Sequence, residues 1–500
     1  MKRFSALLAL LATGCMSMEP KYVQPEAAVP ASWPVGDAFL ARLEMPLPSV
    51  TYRQIFTDVR LQTLISQALV NNRDLMIAAS NIAAARERYV IQRAQQFPEL
   101  NAAAGVNVTG EKSSSSSNSN SGSGSGSSSS KVVANYTAGL QVPSFELDLF
   151  GRLRSLTQSQ LEQYFATEAG ARSTRLTLVA EIADAWLTYA ADSSGLLVSE
   201  QTVVAAQKSV RLTGLRLQGG IAPRTDLSQA TQILTQAQAN LARQETLVAQ
   251  DINALQLLVG APIDPSLLPS SIDQAGPTIA ELPAGLDSTI LLRRPDVVQA
   301  EFELRSANAD IGAARAALFP KITLTGLIGF ASTALTSLFT GGAFGWSAGA
   351  NAAYTIFQAG AGHANVRLTE AQRNAALATY QKAIQTAFRE VADALARRGT
   401  MDEQLSATQR QQAAAADVVV LEEERYRAGI DSYLNLLDAQ RSYYAVQLIY
   451  VQTKLTAAQN RVDLYQALGG DSLLQTAPLC EVRYVSNASS AKLASQCSPM

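Results

Sequence analysis

Histidine is almost absent from this 500-residue sequence, in which His363 is the only one. Ser-His-Asp and Cys-His catalysis need a histidine base, and most zinc sites need histidine or grouped cysteine ligands. The three cysteines, Cys15, Cys480 and Cys497, are not grouped in this way. No set of nucleophile, base and orienting group can be assembled from the rest of the chain. The sequence therefore predicts a protein that is not an enzyme and that holds no metal and no cofactor.

Charged residues are also scarce. They make up 16% of the chain, hydrophobic residues make up 47%, and the formal net charge at pH 7 is -2. So small a charged fraction predicts large surfaces that do not face water. A balance so close to neutrality argues against a nucleic-acid partner, and none is expected.

The N-terminus has the pattern of a lipoprotein signal. Residues 2 and 3 are basic, residues 6–12 are apolar, and Gly14 precedes Cys15. Cleavage at this point would remove residues 1–14 and leave a first cysteine that carries acyl chains, which would anchor the chain to a membrane. A plain secretory signal with an incidental cysteine is the alternative.

One pattern occurs twice in the sequence. Residues 217–221 precede an Asp-Leu pair at 226–227, and residues 426–430 precede an Asn-Leu pair at 435–436 with the same spacing. Both copies are preceded by helical and alternating segments, and both end at a glycine. We therefore predict two structural repeats, each built as helix, strand, loop, strand, very long helix, turn and long helix.

The helices of each repeat are expected to form a hairpin. Residues 155–216 and 363–427 contain no proline, and apolar residues recur in them at three- and four-residue steps. The helices that follow have heptad-like spacing, which predicts coiled-coil hairpins at 155–259 and 363–468. The predicted segments are a signal peptide at 1–14, an N-terminal segment at 15–72, a first repeat at 73–260, a linker at 261–293, a second repeat at 294–469 and a flexible tail at 470–500.

Four segments of about ten residues or more are predicted to be strands, and their alternation is typical of a transmembrane barrel wall. The Ser-rich tract from 113 to 130 would form an external loop. Four strands cannot close a barrel in lipid, so several chains must share one: two would give eight strands and a filled interior, and three would give twelve and a usable lumen. The predicted strands are 100–110, 132–147, 321–331 and 344–357.

Several long motifs carry a resemblance to a known family. They are Asn-Asn-Arg-Asp-Leu at 71–75, Phe-Glu-Leu-Asp-Leu-Phe-Gly-Arg-Leu-Arg-Ser at 145–155, Leu-Arg-Arg-Pro-Asp at 292–296, Gly-Ala-Ala-Arg-Ala-Ala at 312–317, Lys-Ala-Ile-Gln-Thr-Ala-Phe at 382–388 and Leu-Leu-Asp-Ala-Gln-Arg-Ser at 436–442. From Cys15 to about Gly470 the chain resembles the outer membrane factor family of TolC-like channels. Within that family it is most similar to the OprM-type lipoprotein channels of RND multidrug efflux pumps.

The resemblance implies a fold that is mainly α with a small β part. A homotrimer would form a twelve-stranded transmembrane β-barrel, a long periplasmic α-helical barrel and a mixed equatorial domain, the last built from residues 20–70, 260–290 and the tail. It also implies a bacterial outer-membrane protein, anchored through lipid on Cys15, that serves as the passive exit channel of a tripartite pump. The implied partners are a periplasmic adaptor protein, an inner-membrane RND-type transporter and outer-membrane lipid.

The same resemblance implies a gate at the periplasmic mouth. Three copies of Asp438 would form a ring that admits cations, and Leu434 would form an apolar plug beside it, unless it is ordinary coiled-coil packing. Arg441 would form either an ion pair with Asp438 in the same helix or a link to a neighbouring helix. Tyr426 and Asp226 would tie the two hairpins together.

The helix turns themselves are the places where an adaptor would dock, by the same resemblance. Glycines there also suit tight turns, which is the simpler interpretation. Asp192 and Asp251 could add charge to the lumen, although solvated surface carboxylates are the favoured interpretation. The proposed docking residues are Gly219, Gly220, Ile221, Ala428, Gly429 and Ile430.

Two alternatives remain at the level of the sequence. The first keeps the fold and changes the cargo to proteins of a type I secretion system or to metal ions. The second is a coiled-coil structural lipoprotein without a pore, which would have no lipid-spanning strands and no stable trimer.

Overall fold

The structure is a computed structural model that describes residues 17–25, 51–112, 130–280 and 288–470. Cys15 and residues 471–500 lie outside the described residues. The α-helices are α1 (Tyr52–Ile55), α2 (Val59–Asn71), α3 (Arg73–Ala94), α4 (Arg152–Gln218), α5 (Arg224–Val259), α6 (Ile272–Ala275), α7 (Pro295–Ala316), α8 (Ala361–Arg427) and α9 (Tyr433–Ala467). The strands are β1 (Asn101–Lys112), β2 (Ser130–Glu146), β3 (Lys321–Ser332) and β4 (Phe344–Ala353).

Both long helices lie at the predicted places. α4 and α8 contain 67 residues each, and a turn of a few residues joins each of them to α5 or α9. Across the residues that the structure describes, no helix combines the length and the apolar character that crossing a lipid bilayer requires.

The chain divides into two compact units. The described residues of the first unit are 17–24, 84–112, 130–164 and 302–377. The described residues of the second unit are 25, 51–83, 165–280, 288–301 and 378–470.

The first unit contains one antiparallel sheet with the strand order β1-β2-β3-β4. Every residue of the edge strand β4 is exposed, and Trp346 in that strand is 73% exposed. Large apolar side chains, whose exposure to water is unfavourable, therefore lie on the surface of a single chain. Among the described residues, β1 and β4 each pair with a strand on one side only, so the sheet has two free edges.

Glycine and proline shape the centre of this sheet. Gly139 of β2 pairs with Gly329 of β3, and a Cβ at Gly329 would lie 2.5 Å from the carbonyl oxygen of Ala138. Only glycine fits so close an approach of two backbones. Pro143 has no N–H for the ladder, and the register between β2 and β3 shifts at that point.

The last strand is shorter than predicted. We expected it to run through 344–357, but β4 ends at Ala353. Ala353 pairs with Lys321, the first residue of β3, so the residues after Ala353 lie beyond the end of their neighbouring strand. Where the strand ends is set by its neighbour rather than by its own sequence.

The base of the sheet is fixed to the start of α4. Glu146, the last residue of β2, accepts hydrogen bonds from Arg152 Nε at 2.8 Å and Arg152 Nη2 at 2.7 Å. Lys321 Nζ lies 2.9 Å from the same carboxylate. The Phe150 and Phe319 rings stack 4.6 Å apart, which joins the segment before α4 to the segment before β3.

In the second unit, the segments around the hairpins hold more helix than predicted. The N-terminal segment contains α1 and α2, and the linker predicted at 261–293 contains α6 and short 3-10 turns. Phe56 and Ile279 form a β-bridge, so the first of these segments pairs with the second. The Trp186 indole is buried, and its Nε1 donates to Leu267 O at 3.1 Å.

Arg294 joins three helices of the second unit. Its side chain is 9% exposed, and Nη1 donates to Ala467 O at the end of α9 over 2.7 Å. Nη2 lies 2.8 Å from the carboxylates of Asp296 in α7 and Glu390 in α8. α7 begins at Pro295, because proline suits the first turn of a helix. The contacts with α8 and α9 were not foreseen.

Candidate functional site

The two helix turns of the second unit have the same backbone structure. Ile221 N donates to Arg216 O at 2.8 Å after α4, and Ile430 N donates to Arg425 O at 2.9 Å after α8. Gly220 has a φ of 73° and occupies the left-handed position of its turn. This is the Schellman closure of a helix, which favours glycine at that position. The predicted duplication is therefore visible at the turns.

The predicted docking residues lie at the surface of these turns. The side chain of Ile221 is 70% exposed and that of Ile430 is 67% exposed. Residues 219, 220, 428 and 429 are exposed as well. Each turn thus presents one large apolar side chain next to small residues.

A buried aromatic cluster lies beneath the turns. Tyr426 of α8 and Tyr433 of α9 are buried, with ring centroids 5.3 Å apart in an edge-to-face arrangement. Ala230 of α5 and Leu436 of α9 complete the buried core, and Val210 of α4 packs against it. Four helices meet here, and burial raises the pKa of Tyr433 to about 12.

The structure brings Tyr426 and Asp226 together, as the family resemblance implies. Tyr426 Oη lies 3.5 Å from Asp226 Oδ2. Burial, and then the negative charge of Asp226, raises the pKa of Tyr426. A donor–acceptor distance of 3.5 Å is at the limit of a hydrogen bond, so this contact is weak.

A second and shorter link joins the two hairpins, and sequence reasoning missed it. Arg216 Nη1 donates to Tyr426 O at 2.6 Å and to Arg427 O at 3.3 Å. The Arg216 guanidinium also lies over the Tyr426 ring, 4.6 Å from the centroid. The repeat alignment held a usable signal, because Arg216 occupies the position equivalent to Arg425.

The other predicted gate residues share one face of α9. Leu434, Asp438 and Arg441 are all exposed, and Leu434 is 56% exposed. Leu434 is therefore not packed in the core of this single chain. Among the described residues, Asp438 and Arg441 form no ion pair with each other. A leucine, an aspartate and an arginine thus lie free on the same surface stripe.

Asp192 and Asp251 interact with each other, so the interpretation of each as a solvated surface carboxylate is wrong. Gln244, which is buried, donates from Nε2 to Asp192 Oδ1 at 2.9 Å and to Asp192 O at 3.1 Å. Burial, the charge of Asp192 and a hydrogen bond with it raise the pKa of Asp251 to about 7. The two carboxyl groups form a pair between α4 and α5.

Comparison with known proteins places these features in a family. The chain matches the family described as "Outer membrane efflux protein" over residues 64–261 and 286–470. It is 41% identical to a protein named "Probable efflux pump outer membrane protein TtgC" from Pseudomonas putida, over 94% of this chain and 96% of that protein.

Solved structures agree with the sequence match. A membrane protein from Pseudomonas aeruginosa superposes with a TM-score of 0.82 at 38% identity, over 91% of this chain and 98% of that one. The MtrE outer membrane channel of Neisseria gonorrhoeae gives a TM-score of 0.76 at 33% identity, again over 91% and 98%. The chain belongs to the outer membrane efflux protein family, and it is an outer-membrane transport protein with the TolC-like fold of that family.

Proposed function

We propose that three copies of this chain form the outer-membrane exit channel of a tripartite efflux pump. The observation that carries the proposal is the open four-stranded sheet, whose two edges and apolar side chains are exposed in a single chain. In hydrocarbon, unpaired backbone groups have no water to bond, so only closed barrels of strands are stable. Three copies would pair all edges in a twelve-stranded barrel wide enough for a lumen.

The cargo that we propose is small organic molecules. Similar proteins from Pseudomonas putida are named as outer membrane proteins of a toluene efflux pump and of an antibiotic efflux pump, both at 41% identity. These names favour drugs and solvents over secreted proteins or metal ions. An inner-membrane transporter of the RND type would select the cargo. The channel would carry it passively, without catalysing a reaction and without a cofactor.

The exposed helix turns are the surfaces that we propose for a periplasmic adaptor. Ile221 and Ile430 are apolar, exposed and flanked by small residues, so a partner helix could approach closely and bury them. The exposed stripe of Leu434, Asp438 and Arg441 would line the mouth, where three aspartates favour cations over anions.

Acyl chains on Cys15 are the proposed anchor, at about 0.8 kcal/mol for each buried CH₂ group. Mass spectrometry of the mature N-terminal peptide should show a diacylglycerol-modified cysteine. A mature N-terminus at any other residue would exclude the anchor and leave the plain secretory signal.

Planar-bilayer recording of the purified protein tests the proposed channel. We expect discrete, cation-preferring conductance steps that are small at rest because the mouth is closed. In parallel, expression with a matched adaptor and transporter should restore solvent or antibiotic tolerance to a strain that lacks its own channel. Absence of conductance at every voltage, together with no restoration of tolerance, would contradict the proposal.

A further inference from the structure

The two turns differ in one ion pair although their backbones match. Arg216 and Arg425 occupy equivalent positions, because each accepts the turn-closing hydrogen bond through its carbonyl oxygen. Arg425 Nε forms an ion pair with Asp431 Oδ2 inside its own turn. The position equivalent to Asp431 in the first turn is Ala222, which offers no carboxylate.

The Arg216 side chain contacts the other hairpin instead. Its guanidinium donates to the carbonyl oxygens of Tyr426 and Arg427, the last two residues of α8, at 2.6 and 3.3 Å. Tyr426 O also accepts from Gly429 N at 3.1 Å, so Arg216 is a second donor to this carbonyl group. A cation at this place interacts favourably with the negative end of the helix dipole. The Tyr426 ring adds a cation–π contact at 4.6 Å.

This contact is closer than the Tyr426–Asp226 contact that also joins the hairpins. The Tyr426–Asp226 distance is 3.5 Å, whereas the Arg216–Tyr426 distance is 2.6 Å and its donor is charged. Charge-assisted hydrogen bonds are about twice as strong as neutral ones. The guanidinium is also half-buried, which limits competition from water.

We propose that Arg216 is the residue that positions the α8–α9 turn against the α4–α5 turn and so holds the mouth of the channel closed. The inference rests on the proposed channel function and adds the residue that regulates it. Arg216 contacts the opposite hairpin, whereas Arg425 is held inside its own turn by the ion pair with Asp431. A carboxylate at position 222 should capture Arg216 in the same way and release α8.

The variant Ala222→Asp tests this directly, because it leaves Arg216, Tyr426 and Asp226 in place. At the equivalent positions of the second turn, Asp431 pairs with the guanidinium of Arg425, so a carboxylate at 222 would lie near the guanidinium of Arg216. We expect roughly a tenfold rise in open probability in planar bilayers, the scale set by one charge-assisted hydrogen bond. Ala222→Asn is the matched control of similar size without charge, and it should behave like the wild type.

Two further variants separate positioning from general damage. Arg216→Ala should raise the open probability as much as Ala222→Asp does, and adding Ala222→Asp to Arg216→Ala should change nothing more. Arg425→Ala removes the equivalent residue and should leave the open probability unchanged. Equal conductance in the wild type, Ala222→Asp and Arg216→Ala would overturn the role of Arg216 while leaving the channel intact. Absence of conductance in all proteins would instead reject the channel function, and the inference with it.

Discussion

Asp251 shows how a single side chain responds to its neighbours. Its pKa is raised from 3.8 to about 7 by burial and by Asp192. Between these values the unfolded chain is ionised while the folded chain keeps the proton, so the folded state binds more protons. The free energy of unfolding must therefore fall as pH rises from about 4 to about 7 and change little from this group above that range.

Replacing this carboxyl group should remove that pH dependence. We expect Asp251→Asn to raise the thermal midpoint more at pH 8 than at pH 5, because the amide cannot ionise next to Asp192. Circular dichroism of the detergent-solubilised protein measures the midpoint. Asp402→Asn, at an exposed position of α8, is the control and should shift neither midpoint. A larger gain for Asp251→Asn at pH 5 would contradict the assignment.

Asp438 permits a second prediction at the residue scale. In a trimer its three copies would carry like charges around the mouth, which attract cations. Asp438→Asn should therefore lower the cation-to-anion permeability ratio several-fold, measured from reversal potentials in a salt gradient. Glu403→Gln removes an exposed carboxylate of α8 far from the turns and should leave the ratio unchanged. An unchanged ratio for Asp438→Asn would remove Asp438 from the conduction path.

The sequence located some of these residues and missed others for a physical reason. Tyr426 and Asp226 were paired by family resemblance, and the structure places them in contact. Arg216 and the Asp192–Asp251 pair were missed, because helical periodicity shows which face is buried but not which side chain of another helix lies opposite. Only the alignment of the repeats could have singled out Arg216.

Arg294 is the contact that connects helices at the scale of elements. Arg294→Ala would leave Ala467 O without its donor. It would also remove the partner of the Asp296 and Glu390 carboxylates, but both are more than one-third exposed and can bind water instead. We expect a loss of about 1–3 kcal/mol in stability, seen as a lower thermal midpoint.

The control for this change is an exposed ion pair. Arg389 and Asp393 lie one turn apart on α8 at 4.0 Å, and both are about 70% exposed. Arg389→Ala should cost less than about 0.5 kcal/mol, because water screens such pairs. If the two variants lowered the midpoint equally, burial of Arg294 would not be the cause.

Long helices were the elements most accessible to sequence reasoning. Stretches without proline and with a regular apolar stripe predicted α4 and α8 to within a few residues. The end of β4 was wrong, because a strand ends where its partner does, and β3 begins at Lys321. The short helices around residues 52–71 and 265–293 were not predicted, since segments of this length carry too little periodicity.

At the scale of the whole molecule, the sheet and the family together exclude a scaffold without a pore. A coiled-coil lipoprotein without a pore would not contain four strands with exposed apolar side chains. This chain also belongs to a family of outer membrane efflux proteins. The strand count therefore connects the single chain to its assembly, because four strands leave two open edges in lipid.

Native mass spectrometry of the purified protein, released from mild detergent, measures the number of chains that share the barrel. The account predicts a single species with three times the mass of one mature, acylated chain, which persists until the detergent is replaced by a denaturant. A species with the mass of one chain under the same conditions would contradict it, because four strands would then have to exist in lipid with both edges unpaired.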